Sequence, residues 1–125
     1  MPTKTLPKAG DHLISLQSAI DMTTRFRAGR EARLIRPDQD IDVLPLSETF
    51  HREAIDNLLA VPGCAAIRIY FGLDDYNKIH TLIVPVNKNN EDILSTSDGQ
   101  NIEPIIVEVG QRCPPTCPPT SDLNT

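Results

Sequence analysis

The polar and apolar positions along the chain change period several times, and each change marks an element. Leu16, Ile20, Thr23 and Phe26 recur at helical spacing behind Ser15, a residue suited to cap a helix start. Asp21 precedes Arg25 and Arg27, an order that suits the helix dipole, and Gly29 is placed to stop the element. This pattern predicts a helix over 15–28. Residues 30–43 are rich in Arg and Asp, contain Pro37, and read as a loop leading irregularly into a short strand. A second helix is predicted over 51–61, where Ile55, Leu58 and Leu59 give a one-sided apolar face before the Pro62, Gly63 stop. The period then shortens. Residues 64–71 and 79–86 are dense in β-branched and apolar side chains, and the polar stretch 73–78 between them predicts a hairpin. Residues 87–90 carry a turn signal, and Ile105 to Val109 with Ile102 suggest a last strand.

These elements imply an α+β domain: two helices packed on a small antiparallel sheet of about three to four strands. The chain has 125 residues, the size of one domain. The division that follows is a flexible segment at 1–10, a single α+β domain at 11–111, and a Pro/Cys-rich tail at 112–125. Apolar residues make up 39% of the chain and tryptophan is absent, so the expected core is aliphatic and modest. The net charge of −5 argues against nucleic acid or an anionic membrane surface as the main partner. Charge is also blocked along the sequence. Arg25, Arg27, Arg30, Arg33 and Arg36 precede Asp38, Asp40, Asp42, Glu48, Glu53 and Asp56, which reads as a solvated or internally paired face. No run approaches the roughly 20 apolar residues of a membrane span, and the first residues lack the apolar core of a secretory signal. The expected location is the cytoplasm, where thiols stay reduced.

Candidate chemistry is sparse. Strand alternation sets Ala66, Arg68 and Tyr70 on one face and Ile67, Ile69 and Phe71 on the other. Arg68 either faces solvent or pairs across strands, or else forms a binding surface with Tyr70. Cys64 opens an apolar strand and reads as a small buried hydrophobe. His12, His51 and His80 have no spacing that links one to it as a base. The tail run CPPTCPP at 113–119 is the most unusual feature. As polyproline II it would place Cys113 and Cys117 on the order of 12 Å apart, beyond disulfide reach unless a turn forms at Pro115 and Thr116. A metal site at Cys113 and Cys117, zinc being the alternative cofactor, would need two further ligands. The remaining readings of this pair are a redox couple and a structural or docking strap. Asn87, Asn89 and Glu91 resemble the start of a calcium loop, but Asp92 stands where glycine is needed and Asp98 where glutamate is. No catalytic constellation emerges, and no cofactor is expected.

The run PGCAAIRIYFGLD at 62–74, the CPPTCPP tail, and Leu123 with Asn124 together resemble a family of small uncharacterised bacterial proteins. Its pattern joins an N-terminal helix bearing a stretch like Thr24, Arg25, Phe26 and Arg27 to a GCxxIRIY strand and a cysteine–proline end. Ala66 stands where that pattern has glycine, which implies looser backbone demands there. The resemblance implies a bacterial origin and the same element boundaries, but no activity. The residues themselves point to a small non-enzymatic intracellular binding or adaptor protein, taking a protein partner or a second copy through Arg68 and Tyr70 or through the tail. The alternative is a thiol- or zinc-dependent protein using Cys113 and Cys117 with Cys64 or His80.

Overall fold

The computed structural model describes residues 2–38, 40, 42–95 and 106–125, without the side chain of Arg33. The fold is α+β: among the described residues it has α1 at Leu16–Gly29, α2 at Arg52–Leu59, and four strands, β1 at Ser47–Thr49, β2 at Ala66–Leu73, β3 at Ile79–Val86 and β4 at Gln111–Cys113. The strands are divided between two antiparallel pairs, β2 with β3 and β1 with β4, rather than joined in one sheet. Among the described residues no helix is long and apolar enough to cross a membrane.

The chain forms two compact units. The first holds residues 1–7, 49–72 and 80–110, and the second holds 8–48, 73–79 and 111–125. In the first unit, His51 caps α2 by accepting the Glu53 N–H on Nδ1 at 3.1 Å. Behind the helix, Gly63 takes a φ of 85°, a left-handed turn that a Cβ would strain. Leu58, Val61, Ile83, Val84, Pro85 and Val86 form the buried apolar set of this unit. Val107 pairs with Ile83 in an antiparallel bridge, which is the described part of the expected last strand. Ile102 and Ile105 lie outside the described residues, as does Asp98.

In the second unit Ser15 caps α1, its Oγ accepting the Ser18 N–H at 3.0 Å as the sequence suggests. The helix does not end at Gly29 on a left-handed cap. Gly29 keeps a right-handed conformation and the chain continues through a π-type turn, Arg30–Leu34. Side chains explain the continuation. Arg30 is buried and its Nε donates to the Leu44 carbonyl, while Ile35 behind the turn is buried too. Arg27 donates to the Leu123 carbonyl at 2.6 Å and to Thr125 O at 2.7 Å, so Arg27 and Arg30 serve backbone acceptors of their own unit. The two charge blocks meet where Arg36 lies 3.6 Å from Asp38; Asp42 pairs with Lys78 at 2.6 Å and, in the first unit, Arg52 with Asp56 at 3.1 Å.

Candidate functional site

The two faces of β2 differ in a way the hairpin alone does not require. Asn87 Oδ1 accepts the N–H groups of Asn89 and Glu91 at 2.9 and 3.0 Å, which closes a side-chain-directed turn directly after β3. Asn90 takes the left-handed conformation that asparagine tolerates, with a φ of 67°. The turn folds Asp92 back to bridge Val86, with the Ile93 N–H on the Pro85 carbonyl at 2.9 Å. Asp92 thereby meets β2. Arg68 Nη1 donates to Asp92 Oδ1, Arg68 Nη2 donates to Asn90 Oδ1, and the Tyr70 hydroxyl donates to Asp92 Oδ2. The hydrogen bond that each donates to Asp92 raises the Arg68 and Tyr70 pKa values above their ordinary ones, helped by the Asp92 charge and, for Tyr70, by burial. Arg68 and Tyr70 do share a face, and there Arg68 pairs within the chain, with Asp92 rather than with a strand neighbour.

The opposite face carries the apolar residues. Ile67, Ile69, Phe71 and Leu73 are all exposed, Ile69 to 50% and Phe71 to 76%. A half-buried strand would ordinarily turn these positions inward. Here the Arg68–Asp92 pair and the Tyr70 phenol, itself 45% exposed, take the other face, and the apolar residues of the strand stand outward. Among the described residues β2 pairs with β3 alone. Cys64, just before the strand, is half-buried and its thiol donates to the Ala66 carbonyl at 3.3 Å. His80 Nδ1 lies 3.0 Å from Glu108 Oε1 in the same unit.

The tail cysteines require a correction. They are not spaced by an extended segment: Cys113 and Cys117 are disulfide-bonded with their Cα atoms 4.6 Å apart. The peptide bonds Cys113–Pro114 and Pro114–Pro115 are cis, and the Thr116 N–H closes on the Arg112 carbonyl at 3.0 Å. The turn raised as a condition in the sequence reading thus exists, and the stretch 113–117 is a closed ring rather than a strap. The expectation of reduced thiols fails for this pair as well. Cys113 also belongs to β4, its carbonyl accepting the Leu46 N–H at 2.6 Å. Beside it, buried Arg112 donates to the carbonyls of Asp42, Val43 and Ile79 at 2.7, 3.2 and 3.0 Å.

The sequence-predicted residues therefore fall into two places. Arg68 and Tyr70 converge on Asp92 in the first unit, which also holds Cys64 and His80 away from that cluster on partners of their own, while Cys113 and Cys117 join one another in the second. Sulfurs bonded to each other are not thiolate ligands, and among the described residues no three His, Cys, Asp or Glu side chains gather as a metal site. Asn87, Asn89 and Glu91 serve the turn with one another. Sequence reasoning missed Asp92, Asn90 and Arg112. The asparagine-rich turn marked the first two, whereas nothing local marked Arg112. Comparison with family models, curated proteins and solved structures finds no match to this chain.

Proposed function

We propose that this chain is a small non-enzymatic binding or adaptor protein that works as a dimer, with the outward face of β2 as the shared surface. One observation carries the reading: β2 ties Arg68 and Tyr70 to the 87–92 turn on one face and exposes Ile67, Ile69 and Phe71 on the other. A long, flat, apolar strand edge is ordinarily shielded by lysine, proline or a covering element. This strand contains neither residue. A second copy suits it on charge. The chain carries −5 overall, but the outward positions are neutral, and the one cation of the strand is matched by Asp92. Two β2 strands related by a two-fold axis would therefore meet without like charges and close the assembly. Sedimentation equilibrium is the test. The expected result is twice the chain mass at concentrations on the order of 100 μM or below, falling to the monomer in Ile69→Glu and Phe71→Glu with unchanged circular dichroism. A wild-type monomer throughout, or a dimer unaffected by both variants, defeats the proposal.

A second reading, the thiol-dependent one, is favoured by the Cys113–Cys117 disulfide, which puts two sulfurs of the tail in redox contact. Its zinc form lacks further ligands among the described residues. A zinc titration of the reduced chain, followed by native mass spectrometry, tests that form. A retained ion lost on Cys117→Ser would support it.

A further inference from the structure

The two cysteines of the ring differ in exposure. Cys113 is 5% exposed, held in β4 between buried Arg112 and the Leu46 contact. Cys117 is exposed, and so are its neighbours Pro115, Thr116 and Pro118. Disulfide exchange proceeds by in-line attack of a thiolate on one sulfur, and access decides which sulfur is attacked. We propose that Cys117 is a thiol-exchange site that takes a small thiol as a mixed disulfide, with Cys113 as the inner, resolving sulfur. The balance is simple. A small thiol loses its proton to buffer, and its sulfur forms a bond to Cys117 Sγ as the Cys117–Cys113 bond breaks. Cys113 leaves with the electron pair and takes up one proton. The attacking sulfur is oxidised and Cys113 is reduced, so no further oxidant is needed. In the reverse step Cys113, still in β4, attacks Cys117 Sγ and releases the small thiol; acid halts that return by protonating Cys113, and the return is lost altogether when Cys113 is absent.

This proposal is independent of the β2 surface and is tested on the full chain carrying Cys64→Ala, so that only the pair reports. Reduced glutathione is added to the folded protein, the reaction is quenched with acid at intervals, and the adduct is located by tandem mass spectrometry. The expected result is glutathione on Cys117 alone, formed no more than about tenfold slower than in denaturant, since exposure leaves the sulfur open to attack. Glutathione on Cys113, or a rate further below the denatured one than that, overturns it. A second measurement uses Cys113→Ala with oxidised glutathione: a single stable adduct on Cys117 in the folded variant is expected, and a folded variant that forms none also overturns it.

Discussion

Arg112 shows how a single side chain can organise a segment that has little apolar material. Its guanidinium is buried and serves three backbone carbonyls, those of Asp42, Val43 and Ile79. The Val43 carbonyl also accepts the Ile79 N–H at 2.8 Å, so the guanidinium ties the carbonyls of Asp42, Val43 and Ile79 together rather than serving each as its one donor, and losing its hydrogen bonds costs free energy. The planar fork of arginine reaches several acceptors at once, whereas a lysine ammonium is a point donor on a flexible stem. Arg112→Ala is expected to lower stability by about 2–4 kcal/mol in urea denaturation, and Arg112→Lys to recover less than half of that loss. Full recovery by lysine would mean that charge alone, rather than the fork, is what this position supplies.

The elements differ in how far the sequence discloses them, and the reason is locality. Both helices are legible because their signals lie within a few residues: Ser15 reaches Ser18, His51 reaches Glu53, and Gly63 ends the second break with a positive φ. The β2–β3 hairpin is legible for the same reason, since its composition and its polar connector are contiguous. β1 and β4 are three residues each and lie more than sixty positions apart, so their pairing leaves no periodic trace. The candidate site divides likewise. Alternation alone puts Arg68 and Tyr70 on one face, but what they meet there depends on where the 87–92 turn carries Asp92. The cysteine ring is hidden because a proline-rich run favours extended backbone, whereas the chain here turns back on itself. Element-level burial makes a sharp prediction in α2, where Leu58 is fully buried and its neighbour Leu59 is 51% exposed. Leu58→Ala should cost about 3 kcal/mol and Leu59→Ala about 1 kcal/mol or less, read from urea midpoints at constant m-value. Equal losses would place the helix in a different rotation from the one described.

Across the molecule, the two units carry different titrating contacts, and the pH dependence of stability separates them. In the second unit Lys78 donates to Asp42, whose carboxyl is held below its ordinary value of 3.8, chiefly by that hydrogen bond. A depressed carboxyl stabilises the fold above its unfolded value, and the contribution is lost as pH falls through the lower folded one. The same bond raises Lys78 above its ordinary 10.5, so its contribution is complete below that value and disappears as pH rises through the folded one. In the first unit Tyr70 is raised above 10.0, mainly by its bond to Asp92, and its contribution also fades on the alkaline side. Wild-type urea midpoints should therefore fall at both ends of the scale. Asp42→Asn removes the acid-side loss due to Asp42 and the Lys78 part of the alkaline loss, but leaves the Tyr70 part in place. Asp92→Asn does the converse on the alkaline side, releasing Tyr70 while the Asp42–Lys78 terms persist. If the Asp42→Asn profile ran parallel to wild type at both ends, the Asp42–Lys78 bond would contribute nothing to folding in solution. A profile altered at one end only would show that just one of the two partners is perturbed by the pairing.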